Sequence, residues 1–212
     1  YTVSAGNTFF VFTCSWAVMH PGVNLKGTDF VSYVYSDKEL RTLVNNKKLA
    51  SSISGYEGSL EEGGVDYLWY STRALASKKL KEIARGASHD SLELSHEIVI
   101  ARLKDKDYEA LKSYLTQERL NSLFREYPMT KVNSGIYNDF GFALGEAGSD
   151  ELAYSLLSKV EAVSPERVVL KLNIADVLWS SAKVKSKQYY RDYIAAMRSQ
   201  GKERLIPSRA IE

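Results

Sequence analysis

Residues 135–165 place aromatic, aliphatic and small side chains at intervals typical of two helices that pack closely against each other. Tyr137, Phe140 and Leu144 lie at positions i, i+3 and i+7, which is one face of a helix. Gly141 borders this face, and a residue without a Cβ lets two helix backbones approach each other. The spacing therefore predicts a helix that buries one face against a close neighbour.

A second helix is predicted directly after the first. The turn at residues 148–150 contains Ser149 and Asp150, either of which can cap a helix N-terminus. Ala153 is the small residue of this helix, and its apolar face is formed by Leu156, Leu157 and Val160. Pro165 stops the helix and can begin the next one, where its missing N–H is not needed.

These residues follow the spacing of a known repeat. Successive intervals are three, one, three, nine, four and eight residues in the set Tyr137, Phe140, Gly141, Leu144, Ala153, Leu157 and Pro165. They match the signature of a unit of about 34 residues in the tetratricopeptide repeat family, which the chain resembles over this stretch. The resemblance implies a mainly α fold of antiparallel helical hairpins stacked as a short α-solenoid.

A second unit begins in phase with the first, because Ala175 and Leu178 lie 34 residues after Gly141 and Leu144. Its second helix departs from the pattern, since the small residue expected near position 187 is missing. An apolar stripe is available there only in a shifted register, through Tyr190, Ile194 and Met197.

The sequence thus divides into three parts. Residues 131–212 are the repeats with a C-terminal capping helix, and residues 37–130 are degenerate helical hairpins. Residues 1–36 are rich in β-prone residues and predict a strand, a hairpin or an irregular segment. The apolar run at 9–19 is too short to span a bilayer.

Helical periodicity recurs through the middle of the chain, interrupted by a glycine-rich acidic loop at residues 51–64. The predicted helices begin near Ser36-Asp37 (with Leu40, Leu43 and Val44 as apolar positions) and extend over residues 65–85, 91–102, 108–115 and 120–127. Gly86 is the expected stop of the second of these helices.

The resemblance also implies where a partner binds. In this family the first helix of each unit lines the concave face, which commonly holds a peptide or protein. The corresponding positions are Asn138, Asp139, Phe142 and Glu146 in the first unit, and Val169, Leu172, Asn173, Asp176 and Trp179 in the second. Trp179 is the expected anchor, and the alternative for it is packing on the next helix pair.

The charge distribution bears on the kind of partner. Asp139, Glu146 and Asp176 make the predicted groove acidic, which favours a basic segment. The basic C-terminal helix could instead face the groove from within the same molecule. A net charge of +2 does not favour nucleic acid, although RNA binding through Tyr189, Tyr190 and Tyr193 is a further hypothesis.

Catalytic and metal-binding patterns are weak in this sequence. His96-Glu97 lacks the second histidine of a zinc-protease helix, and three histidines with one cysteine do not indicate a zinc site. No cofactor is therefore expected. An enzyme hypothesis is limited to residues 57–70, where carboxylates (Glu57, Glu61, Glu62 and Asp66) and aromatic rings could act on a glycan.

We therefore expect a protein-binding helical repeat rather than an enzyme, such as an adaptor, a chaperone-like factor or an inhibitor of the immunity-protein kind. The single cysteine, Cys14, excludes a disulfide within the chain and fits a cytoplasmic location, while a periplasmic or secreted one stays open. The oligomeric state and the partner are not specified by the sequence.

Overall fold

The computed structural model describes residues 1–5, 7–36 and 44–211. The chain is mainly helical, with an N-terminal antiparallel β-sheet that curves as a half-barrel. It divides into two compact units, Tyr1–Ile98 and Val99–Glu212, and the division falls within one helix. The predicted helix that begins near Ser36-Asp37, with Leu40 and Leu43, lies outside the described residues.

The sheet of the first unit follows chain order, with every neighbouring pair of strands antiparallel. Its strands are β1 (Thr2–Ala5), β2 (Asn7–His20), β3 (Leu25–Tyr35), β4 (Gly55–Ser59) and β5 (Val65–Asp66). β2 and β3 form a long hairpin whose register runs from Phe10 opposite Tyr35 to His20 opposite Leu25. The strand alternative for the N-terminal segment is therefore confirmed.

One end of this sheet packs on two helices, α1 (Lys47–Ser51) and α2 (Arg73–Ala84). The buried cluster draws on the sheet and on both helices: Val3, Phe9, Val11, Val34, Leu49, Ala50, Ile53, Ala76 and Leu80. Phe9 and Val11 alternate with side chains on the opposite face, as a strand requires. Only the first part of the apolar run at 9–19 is therefore buried.

Two predictions for the middle of the chain were wrong. The loop expected at 51–64 contains strand β4, and the helix expected over 65–85 begins only at Arg73. Thr72 sets that start, because its hydroxyl accepts a hydrogen bond from the Leu75 amide at 3.3 Å. The predicted stop is confirmed, since Gly86 has the positive φ of a helix C-terminal cap.

The remaining helices lie close to their predicted bounds. They are α3 (Leu92–Lys104), α4 (Tyr108–Tyr114), α5 (Gln117–Glu126), α6 (Ser134–Glu146), α7 (Asp150–Val163), α8 (Val168–Leu178) and α9 (Lys183–Ser199). Ser91 and Asp107 accept hydrogen bonds from amides of the first turns of α3 and α4. α5 begins three residues before its predicted start at Leu120, because the Thr116 hydroxyl accepts a hydrogen bond from the Arg119 amide at 3.2 Å.

α6 and α7 form an antiparallel hairpin. Ser134 at the start of α6 accepts a hydrogen bond from the Ser164 hydroxyl just after the end of α7, at 3.0 Å. In the middle of both helices, a Cβ at Gly141 would lie 2.5 Å from Leu157 Cδ2. The glycine is therefore required by the close crossing, as the sequence predicted.

α8 lies beside α6 and runs in the same direction. Asn173 Nδ2 donates to Asn138 Oδ1 at 3.2 Å near the start of the contact. Further along, a Cβ at Gly145 would lie 2.8 Å from Val177.

α9 packs on α8 in the shifted register that the sequence left open. Ser186 is the buried small residue, one position before the one expected, and its hydroxyl donates to the Ala175 carbonyl at 2.6 Å. Tyr190 and Met197 are buried in the cluster that α9 forms with α8, and Ile194 packs against it. Gly201 has positive φ after the helix ends.

We predict opposite effects for the same substitution at two glycines of α6. Gly141→Ala should destabilise the protein by about 1–3 kcal/mol, because the new methyl group overlaps Leu157. Gly135→Ala is the matched control, since its Cβ would meet Arg167 at an ordinary 3.5 Å. It should be neutral or stabilise the helix by up to about 1 kcal/mol. Urea unfolding of both variants measures the difference, and equal effects would contradict the close crossing.

Candidate partner-binding cleft

A cleft of about 230 Å³ lies along α6 and α8 in the second unit. Its walls come from both helices, from the start of α7 and from the C-terminal tail: Phe142, Gly145, Glu146, Asp150, Asn173, Asp176, Val177 and Arg209. Gly145 lies where α6 and α8 approach each other closely, since a Cβ there would lie 2.8 Å from Val177 Cγ2. Four residues predicted from the repeat pattern, Phe142, Glu146, Asn173 and Asp176, therefore line one surface.

Two of the predicted site residues are structural. The side chains of Asn138 and Asn173 are buried, with 2% and 5% of their surface exposed, and they hydrogen-bond to each other. Asn138 Nδ2 also donates to Asp139 Oδ1 at 3.2 Å. A buried amide requires such partners. The Asn138–Asn173 pair therefore fixes α6 against α8. It lies under the cleft and is not an open contact surface.

Asp176 accepts three side-chain hydrogen bonds in the cleft. Its carboxylate accepts two hydrogen bonds from the Arg209 guanidinium, with Nε to Oδ1 at 3.1 Å and Nη2 to Oδ2 at 2.9 Å. The Tyr190 hydroxyl donates to Oδ1 at 2.7 Å. A two-point contact of this kind matches the planar fork of arginine and not the point charge of lysine.

Protonation equilibria follow from these contacts. Burial, together with the hydrogen bond to the Asp176 carboxylate, raises the pKa of Tyr190 above its ordinary value. The hydrogen bond to Asp176 raises the pKa of Arg209, and the nearby Glu146 carboxylate adds to this in a smaller way. Near neutral pH the tyrosine is therefore a neutral donor and the arginine a permanent cation.

The cleft holds more negative than positive charge. Glu146, Asp150 and Asp176 contribute three carboxylates to its walls, and Arg209 contributes one guanidinium. Asp150 also accepts a hydrogen bond from the Ser180 hydroxyl at 3.2 Å. With one cation already in place, two negative charges are left in excess, and the site favours further positive charge.

Trp179 lies beside this cleft, at a second depression that it forms with Asp176, Tyr190 and Arg209. Its ring packs edge-on against Tyr190, with centroids 5.8 Å apart, and Lys183 Nζ lies 4.7 Å from its centre. The side chain nevertheless remains 41% exposed. Trp179 is thus held in place on one side and presented to solvent on the other.

The other predicted residues occupy different environments. Leu172 is buried in the cluster between α8 and α9 that also contains Tyr193 and Met197. Val169 is exposed near the start of α8, and Asp139 is half-buried beside Asn138. The repeat pattern therefore placed Leu172 on a face that this structure uses for packing.

The sequence reasoning missed three residues of the site. Asp150 was interpreted only as a helix cap, and Tyr190 as part of an apolar stripe or as a stacking position for RNA. The basic C-terminal helix was the intramolecular alternative for the acidic groove, whereas the residue that contacts Asp176 is Arg209, in the tail after that helix. The tail reaches the cleft because Ile206 and Ala210 pack on the cluster between α8 and α9.

The residues of the two alternative sites, for a glycan at 57–70 and for RNA on α9, do not form a comparable cluster. In the sheet of the first unit, Asp66 pairs with Gly58, so the adjacent Glu57 points to the opposite face. Glu61 and Glu62 are exposed in the turn between the two strands. In α9, Tyr190 and Tyr193 are buried and Tyr189 donates to Glu161 at 2.8 Å, so these rings do not form a stacking platform for RNA.

Neither a metal centre nor a membrane-spanning helix occurs within the described ranges. Among those residues, no group of three or more histidine, cysteine, aspartate or glutamate side chains could hold a metal ion. None of the helices described combines the length and apolar character needed to cross a bilayer. Comparison with protein-family models, with curated proteins and with solved structures found no match to this chain.

We predict that the Asp176 carboxylate contributes more to stability than its arginine partner does. Asp176→Ala leaves the partly buried Tyr190 hydroxyl without its acceptor and should cost about 1–3 kcal/mol. Arg209→Ala should cost only about 0–1 kcal/mol, because this ion pair is largely exposed to solvent. Denaturant unfolding of the two single variants and the double variant measures the difference. A larger loss with Arg209→Ala would contradict this assignment.

Proposed function

We propose that the chain is a protein-binding module that holds a basic segment of a partner protein, through an arginine side chain, in the cleft along α6 and α8. The observation that carries the proposal is the two-point contact between Asp176 and Arg209. It supports the proposal because the Asp176 carboxylate already holds a guanidinium group, that of Arg209, by two hydrogen bonds within the chain. The function so proposed requires no cofactor and no chemical step.

The helix arrangement supports a repeat-type interaction surface. α6 and α7 form an antiparallel hairpin with a small residue at the crossing, and α8 lies parallel to α6. Parallel first helices are what stacked tetratricopeptide-like units require, so we interpret residues 131–212 as two such units. Roles as an adaptor, a chaperone-like factor or an inhibitor of the immunity-protein kind all use a surface of this type.

Trp179 supplies the apolar part of the proposed interface. A fixed, half-exposed tryptophan next to a charged cleft is typical of binding hot spots, where an aromatic anchor is surrounded by polar contacts. The cation–π contact with Lys183 and the edge contact with Tyr190 hold the ring before a partner arrives. Less side-chain entropy is then lost on binding.

The protein's own tail occupies part of the proposed site. Arg209 places its guanidinium on Asp176, the same carboxylate that we assign to the partner's arginine. A partner therefore competes with the tail for the Asp176 carboxylate. A segment that is only weakly basic does not displace the Arg209 guanidinium and does not bind. The competition is modest, since more than half of the Arg209 side chain is exposed.

We predict that Trp179→Ala weakens partner binding while leaving the helices intact. A pull-down from a lysate of the native cells, with wild type beside the variant, identifies the partner by mass spectrometry. The dissociation constant of the isolated partner should then rise at least about tenfold, as for the loss of a hot spot of about 1.4 kcal/mol or more.

The matched control for that experiment is Val184→Ala, which truncates an exposed side chain of α9 outside the cleft. It should leave both binding and helicity unchanged. Equal binding by wild type and Trp179→Ala would contradict the proposed interface, and so would a loss of helical circular dichroism that explains the weaker binding.

We predict the opposite effect for Arg209→Ala, which frees Asp176 from its internal partner. The variant should bind the same partner more tightly than wild type by up to about fivefold, which corresponds to removal of a competing contact of about 1 kcal/mol. Titration calorimetry at low and high salt measures it, and binding should weaken as salt rises. Unchanged or weaker binding would show that Arg209 does not compete for the site.

A further inference from the structure

The face of α6 that lines the cleft continues toward the start of the helix. Gly135, Phe142 and Glu146 lie at positions i, i+7 and i+11, which is one face of a helix, and the last two line the cleft. A Cβ on Gly135 would point to the same side, and Arg167 Nη1 and Nη2 lie 3.5 Å from its position. The Arg167 guanidinium is therefore placed at the other end of the face that carries the cleft.

Arg167 has an unsatisfied side chain. It is half-buried, and its Nε is buried without a hydrogen-bond partner. Among the described residues, none accepts a hydrogen bond from its guanidinium or forms an ion pair with it. Buried polar groups normally have a partner, because loss of hydration without one costs free energy. The guanidinium is thus a cation whose N–H groups are available to an anionic group.

Carboxylates of the same region have other partners. Glu166 lies 3.9 Å from Lys131 Nζ, in an exposed ion pair. Asp139, further along α6, accepts a hydrogen bond from Asn138 at 3.2 Å. Lys131, Glu166 and the guanidinium together leave one positive charge in excess. The N-terminus of α6 adds partial positive charge to this end of the face.

The two ends of the face therefore carry opposite charge. The cleft holds Glu146, Asp150 and Asp176 against Arg209, which leaves two negative charges in excess. A segment with basic residues alone is attracted to the cleft and repelled at the Arg167 end. A segment with one basic and one acidic residue is attracted at both ends. Charge complementarity thus favours a partner segment of mixed charge.

Helix geometry gives the spacing of the two ends. Asn138 and Asn173 are level with each other, since their side chains hydrogen-bond, and Asp176 follows three residues further along α8. Asp176 is therefore level with about position 141, which is roughly 9 Å beyond Gly135 at about 1.5 Å per residue. An extended chain rises about 3.1–3.4 Å per residue. The two contacts are thus about three residues apart in an extended segment.

We propose that the partner segment carries a glutamate or aspartate about three residues from its arginine, and that Arg167 binds this carboxylate. The inference rests on the proposed function, because the contact of the partner's arginine with Asp176 sets the register. A guanidinium and a carboxylate form two parallel hydrogen bonds, so the second contact adds geometry as well as charge. The segment is then held by an ion pair at each end.

Titration of the full chain with short alanine-based peptides, blocked at both ends, tests the proposal. Each peptide carries one arginine, with a glutamate three positions before or after it, or a glutamine in the same places. One of the two glutamate peptides should bind roughly two- to fivefold more tightly than its glutamine counterpart, as for a partly exposed ion pair. This preference should shrink as salt rises.

Arg167→Gln should abolish the preference for glutamate, because it removes the charge and keeps a polar side chain. Arg125→Gln is the matched control, since it removes the same charge at an exposed position of α5 outside the cleft, and it should keep the preference. Arg167→Lys keeps the charge without the two-point contact and should keep only part of it. Circular dichroism and melting temperature show whether each variant is folded.

Two kinds of failure are distinguishable in this experiment. Equal binding of glutamate and glutamine peptides, or a preference that survives in Arg167→Gln, would overturn the Arg167 contact and leave the arginine site at Asp176 intact. A further peptide with alanine in place of its arginine tests that site. If it binds as well as the others, or if none of the peptides binds, the proposed function fails and the Arg167 contact fails with it.

Discussion

The close crossing of α6 and α7 at Gly141 is the constraint on which the second unit depends. Leu157 occupies the space that a side chain at position 141 would need. With α6 held against α7 at this crossing, another face of α6 packs on α8 through the buried pair Asn138 and Asn173. Buried amides allow little variation in position, since any shift leaves a donor or acceptor without its partner. The alignment of the cleft walls follows from these two contacts.

Local features account for the parts of the fold that the sequence predicted. Apolar spacing, capping residues and glycine stops act within a few residues of one another, and they placed α6 and α7 within a residue or two of their observed ends. The shifted register of α9 depends instead on a contact with the neighbouring helix α8. Ser186 replaces the expected small residue one position early, because its hydroxyl can donate to the Ala175 carbonyl that it faces.

Contacts between distant segments account for what the sequence did not predict. β4 was interpreted as a glycine-rich loop, yet Gly58 faces Gly27 of β3 so closely that a Cβ on Gly58 would lie 2.4 Å from the Gly27 Cα. Those glycines are required by a pairing between residues about thirty positions apart, and period-based reasoning does not detect it. The contact of Arg209 with Asp176 is of the same kind, and it joins residues 33 positions apart.

The internal contact between Arg209 and Asp176 changes what the proposed site selects for. An empty acidic cleft attracts any cation, because charge attraction at a surface depends little on shape. Once a guanidinium already satisfies Asp176, a lysine gains little by replacing it, since an ammonium group cannot reproduce the two parallel hydrogen bonds. In the proposed function, only a segment that offers an arginine together with contacts to Trp179 recovers what the displaced tail loses. The tail would then make the proposed site select for a two-point contact as well as for charge, at a small cost in affinity, because the contact between Arg209 and Asp176 is exposed.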